Sequence, residues 1–245
     1  MKSIILAAGY ATRLYPLTLN KPKALLPIAN KPIIDYIVEE LVTIPVMNEI
    51  IVVSNHLFID QFHNWAGSAS YSIPIHLIDD GSTSDQNKLG AIGDIQLVLS
   101  KTLIDEDLFI IAGDTFFTFH LIDFYHFYNS LQKDCFLVKE IHDKNKLRRM
   151  GVVELDSFQK VIGFEEKPAE PKSSHASYAA YIYRQDTLPL FKQYLEQGLN
   201  PDAPGNFPAW LHKFKEVYAY AFQGDCYDIG TPDLYEEVNR LEFTR

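Results

Sequence analysis

Short apolar runs rich in β-branched residues alternate with segments of helical period, and this alternation narrows the fold more than any single motif. Residues 4–8 (IILAA), Glu49–Ser54 (EIIVVS), 73–78 and 107–112 (DLFIIA) read as strands. Between them, residues 32–44 place Ile33, Ile34, Ile37, Val38 and Leu41 at helical spacing, and 56–65 and 90–101 read as further helices. Pro32 is expected in a first helical turn, where its missing N–H has no partner in any case. Strands that alternate with helices build a mainly parallel sheet covered on both faces. Beyond residue 130 the pattern changes. Residues 135–141, Gly151–Leu155, 161–164 and 177–183 read as strands with shorter connections, which implies antiparallel additions. Helices are expected near 185–196 and 232–241.

Composition excludes several classes. A chain of 245 residues suits one sizeable domain, and its 47% hydrophobic and 22% charged content is ordinary for a soluble protein. No stretch approaches the ~18 apolar residues of a membrane span. The apolar start stops at Gly9 and is followed by Arg13, too short for a signal peptide. Cys135 and Cys226 have no paired spacing, so free thiols in a reducing cytoplasm are expected. A net charge of −10 argues against broad nucleic-acid binding. It also means that a polyanionic ligand needs a local concentration of cations, with a divalent metal.

The chemistry concentrates first in Leu6-Ala7-Ala8-Gly9-Tyr10-Ala11-Thr12-Arg13-Leu14-Tyr15-Pro16-Leu17-Thr18 and Lys21-Pro22-Lys23-Ala24-Leu25-Leu26-Pro27. A buried strand runs into small residues that allow close backbone approach, with Gly9 free to take φ > 0. Successive N–H groups in such a turn form an anion nest, and Arg13 and Lys23 add two cations. The stretch lacks both G-x-G-x-x-G and the Gly-Lys-Ser/Thr ending of a P-loop. On residue chemistry alone it is an anion-binding loop after a strand, or a turn followed by an exposed basic stretch.

At these residues the chain resembles the sugar-nucleotide pyrophosphorylases, the sugar-1-phosphate nucleotidyltransferases that include the glucose-1-phosphate thymidylyl- and uridylyltransferases and mannose-1-phosphate guanylyltransferases. Their Leu-Ala-small-Gly loop, Gly-Thr-Arg-Leu, Pro-Leu-Thr and Pro-Lys-x-Leu-x-Pro elements are all present except that Ala11 replaces the second loop glycine. An alanine there is expected at negative φ, with a shifted loop. The resemblance implies an α/β, Rossmann-like fold of the nucleotide-diphospho-sugar transferase type, and it extends through three later motifs. In Ile110-Ile111-Ala112-Gly113-Asp114 it makes Asp114 a Mg²⁺ ligand, although an aspartate there also suits a helix N-cap. In Phe164-Glu165-Glu166-Lys167-Pro168 it gives Lys167 the phosphate of the sugar phosphate and Glu166 the sugar hydroxyls; the bare string equally suits a solvated strand end. In Tyr227-Asp228-Ile229-Gly230-Thr231-Pro232 it makes Asp228 the second metal carboxylate, while Thr231 and Pro232 also form an ordinary N-cap and N1 pair.

Two further segments carry specificity by the same resemblance. Leu89-Gly90-Ala91-Ile92-Gly93-Asp94 matches a G-x-x-G segment beside the nucleoside, where small residues such as Gly90 admit the base. Gly151 matches a glycine of the sugar site, and Tyr178 and Ala179 stand where glucose enzymes carry Thr-Gly, which reshapes that pocket.

The implied reaction is displacement at the α-phosphorus of an NTP by a sugar 1-phosphate oxygen. Ala7, Ala8, Gly9, Thr12 and Gly90 bind the nucleotide, Arg13 holds the leaving pyrophosphate, Lys23 supports the α-phosphate, and Lys167 aligns the attacking phosphate. Gly151, Glu166 and Lys167 hold the sugar phosphate, and Asp114 and Asp228 hold Mg²⁺. The overall pattern points to dTTP or UTP with a hexose 1-phosphate, for a cell-surface polysaccharide precursor. Rival readings are cytidylyl or guanylyl transfer to another sugar or to a polyol or choline phosphate, and a non-catalytic nucleotide-binding regulatory subunit. A glycosyltransferase is disfavoured because Ala112-Gly113-Asp114-Thr115 does not supply Asp-x-Asp. No hexapeptide repeat follows the Asp228 motif, so one nucleotidyltransferase domain over 1–245, without a C-terminal β-helix domain, is expected. A cytoplasmic protein that binds neither nucleic acid nor membrane follows, and self-association stays open.

Overall fold

The computed structural model describes residues 1–68 and 70–241. Its first half contains β1 (Lys2–Leu6), the two-residue strands β2 (Pro27–Ile28) and β3 (Lys31–Pro32), α1 (Ile33–Leu41), β4 (Glu49–Ser54), α2 (Ile59–Ser68) and β5 (Ile75–Asp79). Then come α3 (Ala91–Lys101), β6 (Leu108–Ala112), β7 (Thr115–Phe117), α4 (Leu121–Leu131) and β8 (Asp134–Glu140). The remainder is α5 (Lys144–Leu147), β9 (Gly151–Leu155), β10 (Val161–Glu166), β11 (His175–Tyr183), α6 (Pro189–Glu196), α7 (Asn206–Leu211), β12 (Val217–Ala221), β13 (Cys226–Asp228) and α8 (Pro232–Arg240).

The large sheet runs β10-β9-β11-β6-β1-β4-β5, with β8 on the other side of β11 and β12 beyond β8. Strand β1 is its axis. It pairs in parallel with β4, Ile4 facing Ile51, and in parallel with β6, Ile4 facing Ile110. Successive side chains of a strand point to opposite faces. Accordingly Ile4, Ile51, Val53, Leu108 and Ile110 pack against α3, α6 and α7. Ile5, Ile50, Val52, Phe109 and Ile111 pack against α1, α2 and α4. Burial of both faces is what makes these strands read as continuous apolar runs. The second half adds the expected antiparallel pairs, β11 with β6, β8 and β9, and β9 with β10.

Local differences from the sequence expectation have simple causes. Strand β1 ends at Leu6, so Ala7 and Ala8 already belong to the loop. Pro32 is not in the first turn of α1 but at its N-cap, extended at φ −51°, ψ 142°. The expected helix over 185–196 divides into a single 3₁₀ turn, Gln185–Thr187, and α6, whose N1 residue is Pro189. A helix does follow Asp114, but α4 begins only at Leu121, after β7.

The chain runs from β1 to β4 and β5 on one side, then returns to β6 on the other, so the strand order reverses between β1 and β6. Open α/β sheets bind ligands in the crevice beyond the carboxyl ends of the strands at such a reversal. The two strands close there on Gly113, whose N–H donates to the Leu6 carbonyl at 2.8 Å. A Cβ on Gly113 would lie 3.0 Å from both Ile5 Cγ2 and the Leu6 oxygen. Gly113→Ala is therefore expected to push β6 from β1 and lower unfolding free energy by about 1–3 kcal/mol, measured by urea denaturation. Unchanged stability would mean that this junction is looser than described.

Candidate active site

A cavity of about 490 Å³ opens at that crevice. Its wall includes Ala7, Ala8, Gly9, Thr12, Arg13, Lys23, Gly90, Asp114 and Asp228, which brings together the nucleotide and metal residues expected from sequence. Asp114 occupies the turn between β6 and β7 and does not cap a helix, since α4 begins only at Leu121. Strands β7 and β13 pair antiparallel with Asp228 opposite Thr115, which sets Asp228 beside Asp114. Lys23, in a 3₁₀ turn (Lys23–Leu25) after Pro22, reaches both carboxylates. Its Nζ lies 2.6 Å from Asp114 Oδ2 and 3.1 Å from Asp228 Oδ1, and the residue is 7% exposed. Burial pulls the Lys23 pKa down, but the charges and hydrogen bonds of Asp114 and Asp228 win and raise it.

The loop after β1 supplies the complementary charge. Among the described residues, the amides of Ala8, Gly9, Tyr10 and Ala11 meet no acceptor. Asn55, fully buried, donates from Nδ2 to the Ala8 carbonyl at 2.9 Å and accepts the Phe58 N–H through Oδ1 at 3.1 Å. The Thr18 hydroxyl donates to the Ala11 carbonyl at 2.9 Å, so the Pro-Leu-Thr element fastens the loop from behind. Arg13 is exposed, makes no ion pair among the described residues, and lies along Gly230.

In this loop one conformational freedom goes unused and one expectation is reversed. Gly9 does not have positive φ, and a Cβ there would meet nothing; its smallness leaves cavity space open. Ala11 takes the left-handed conformation, φ 47°, ψ 43°, instead of a negative φ with a shifted loop. The loop thus keeps a conformation suited to glycine while carrying a side chain.

Gly90, on the cavity wall, is also held small by the fold itself. It has φ 80°, and a Cβ would lie 2.7 Å from the Pro201 carbonyl oxygen. The amides of Ala91 and Ile92 donate to the carbonyls of Asp202 and Pro201 at 3.3 and 2.9 Å. These first amides of α3 are therefore satisfied by a loop of the protein.

The expected sugar residues form a separate group away from this wall. Gly151 faces Glu166 across β9 and β10, and a Cβ on it would lie 2.4 Å from Ser177 Oγ. Glu166 Oε2 lies 2.9 and 2.7 Å from where Cβ atoms of Gly151 and Gly205 would be. Burial raises the Glu166 pKa, against the lowering effect of Lys167. Lys167 is exposed at φ 50°, with its N–H on the Met150 carbonyl at 3.0 Å and no side-chain hydrogen bond or ion pair among the described residues. Pro204, next to Gly205, lies on the cavity wall and links the two groups. Tyr178 packs edge-on against Phe222 with ring centroids 5.2 Å apart.

The whole of this framework, residues 2–244, matches the family model described as nucleotidyl transferase. The chain belongs to the nucleotidyl transferase family. Relatives in the family include the bifunctional protein GlmU of Methanocaldococcus jannaschii, 31% identical over 98% of this chain and 54% of that protein. The UTP–glucose-1-phosphate uridylyltransferase of a Synechocystis species is 25% identical over 97% of this chain and 62% of that protein. The chain thus spans between half and two thirds of these relatives. A crystal structure of UDP-glucose pyrophosphorylase with UDP-glucose shares the fold, with TM-score 0.83, 21% identity and coverage of 97% and 96% of the two chains.

Sequence reasoning missed Asn55, whose side chain acts through the loop backbone, and Asp94. The latter carried a signal, an acid on the apolar face of a helix. Burial first, and the charge of Asp80 second, push the Asp94 carboxyl up to about 8. The folded state then retains a proton that the unfolded chain releases near the ordinary value of 3.8, so this group costs stability as pH rises between those values. Asp94→Asn is expected to gain in thermal stability over the parent protein progressively from pH 4 to pH 8; a pH-independent difference would refute the buried titration. Ala11→Gly is expected to stabilise the fold by about 0.5–1 kcal/mol, the left-handed penalty less the added chain entropy. No gain in the denaturation midpoint would show that Ala11 carries no strain.

Proposed function

We propose that this chain transfers a nucleotidyl group from an NTP to a sugar 1-phosphate. The observation that carries the reading is the convergence of Asp114, Asp228 and Lys23 on one cavity with the unpaired Arg13 and the open loop amides. In that reaction an oxygen of the sugar phosphate forms a bond to the α-phosphorus. The bond from that phosphorus to the bridging oxygen breaks, and pyrophosphate departs with the electron pair. The attacking phosphate is already ionised at neutral pH, so no general base is required. The work left to the protein is charge neutralisation and in-line positioning.

The residues divide that work. Loop amides 8–11 and Arg13 receive the β- and γ-phosphates and stabilise the leaving group, and Lys23 turns toward the α-phosphate. Lys167, exposed and unpaired, receives the phosphate of the second substrate, while Glu166 accepts from sugar hydroxyls between Gly151 and Gly205. Two carboxylates that converge on one ammonium form a donor set of hard oxygens suited to Mg²⁺, which prefers few protein carboxylates with phosphate oxygens completing its shell. Among the described residues no group of three or more His, Cys, Asp or Glu side chains offers an all-protein cage. A bound Mg²⁺ would supply neutralisation of phosphate charge there.

Residues 1–245 act in this reading as one nucleotidyltransferase unit making NDP-sugar precursors. A reducing, cytoplasmic setting agrees with the unpaired Cys135 and Cys226. Among the described residues no helix is long and apolar enough to cross a membrane.

A panel of NTPs against sugar 1-phosphates, scored by pyrophosphate release, tests the reaction. Asp228→Asn is expected to lower kcat by about 10²–10³-fold, the usual cost of losing one preorganised electrostatic contact to the transition state. Undiminished turnover of that variant at saturating Mg²⁺ would remove Asp228 from the metal role. Nucleotide binding without pyrophosphate from any sugar phosphate would favour a non-catalytic nucleotide-binding subunit.

A further inference from the structure

The backbone fixes how far the Lys23 side chain can move. Pro22 precedes it in an extended conformation, and the Leu26 N–H donates to the Lys23 carbonyl at 3.0 Å. Ala24, Leu25 and Leu26 are buried, so the turn is anchored and only the flexible four-carbon stem of Lys23 can swing. Asp114 and Asp228 are held at the other end by the pairing of Asp228 with Thr115 across β13 and β7. The Lys23 side chain is buried, whereas those of Asp114 and Asp228 are open to solvent. An enclosed ammonium thus joins two accessible carboxylates.

That arrangement obstructs a metal ion in two ways. Asp114 Oδ2 and Asp228 Oδ1 both accept from Lys23 Nζ, so a divalent cation bridging the pair calls on oxygens already engaged. A cation on the remaining oxygens would stand within a few ångströms of a fixed positive charge. Displacing the ammonium is no easier. Its ion pairs among the described residues are these two alone, and Asp85 and Asp202 on the same wall already share Lys88. An enclosed ammonium stripped of both counterions is costly. An anion brought into the cavity can take it over, and in the reading given under Proposed function that anion is the α-phosphate of the nucleotide.

We propose that Lys23 is a gate on the metal site, closing Asp114 and Asp228 to divalent cations until a nucleotide phosphate draws the ammonium away. The gate orders binding. A free cation is held off, and the carboxylates open only when the triphosphate arrives, alone or with its own metal. Lys23 then has two successive positions reached by rotation of one side chain, first between the carboxylates and afterwards on the phosphate. Metal binding is thereby made conditional on substrate, and the pair is not left to whichever divalent cation is most abundant. The lock itself rests on the geometry of Lys23, Asp114 and Asp228; only the identity of the releasing anion rests on the proposed reaction.

The test is Mn²⁺ binding without nucleotide, read from free Mn²⁺ by electron paramagnetic resonance, for the full chain and its Lys23→Met and Lys23→Gln variants. Both substitutions remove the charge and keep an unbranched side chain. Each variant is expected to bind Mn²⁺ at least about tenfold more tightly than the parent, since a positive charge beside the site is gone. Adding Asp228→Asn to Lys23→Met is expected to abolish that gain. A merely structural role for Lys23 would change the melting temperature and leave Mn²⁺ affinity where it was. Equal affinity in the parent and a folded variant overturns the proposal, as does a gain that survives Asp228→Asn. Should neither variant fold, the parent decides: one Mn²⁺ held at micromolar concentrations overturns the gate, and binding only at millimolar concentrations supports it. Tighter Mn²⁺ binding in the variants, with no pyrophosphate from the parent on any sugar 1-phosphate, leaves the gate in place and sinks the transfer reaction instead.

Discussion

The site depends on one buried ammonium between two carboxylates. Asp114 and Asp228 come from distant parts of the chain and would repel one another at the floor of a partly enclosed cavity. Lys23 removes that repulsion, and in return the two carboxylates keep its charge in a place that would otherwise neutralise it. Only the ammonium is buried, with the Asp114 and Asp228 side chains 36% and 66% exposed, so losing both carboxylates would leave the lysine as the uncompensated buried charge. The three residues therefore stand or fall as a unit. In the proposed reaction a divalent cation would call on the same oxygens as the Lys23 ammonium, which would couple metal and lysine occupancy by competition.

The cavity wall carries charges of both signs. It combines the loop and the exposed Arg13 with Asp85, Asp94 and Asp202, and Lys88 is shared between Asp85 and Asp202. This resolves how a chain of net charge −10 can hold polyanions. The two carboxylates beside Lys23 are offset by its ammonium, and the loop amides and Arg13 add donors that no acid among the described residues occupies. Helix α3 contributes less than its position suggests, because its first amides are already satisfied by residues 201 and 202. In the proposed reaction anion binding therefore falls to the loop and not to the helix terminus.

Much of the fold was legible in the chain itself, because β1, β4 and β6 are buried on both faces and α1 and α3 on one. Such burial writes itself into sequence as runs and periods. The pairing of β7 with β13 did not, since three-residue strands carry little pattern and their register joins segments more than a hundred residues apart. That pairing is what brings Asp228 to Asp114, so motif resemblance located the residues while only the fold showed them to be neighbours. The backbone sign at Ala11 was misjudged because steric preference was weighed without the Thr18 and Leu14 hydrogen bonds that hold its carbonyl. Gly90 was matched to the base-binding segment, yet the body that fills the space of its missing Cβ is the chain's own backbone.

That contact at Gly90 has a wider meaning. Pro201 and Asp202 lie just before Pro204 and Gly205, which border the group around Glu166. This short stretch thus touches both the start of α3 and the group around Glu166. Evolution or engineering toward a new acceptor cannot treat the two halves as interchangeable modules. A change at residues 201–205 alters the donor half as well, and compensating substitutions should be sought near residues 88–94.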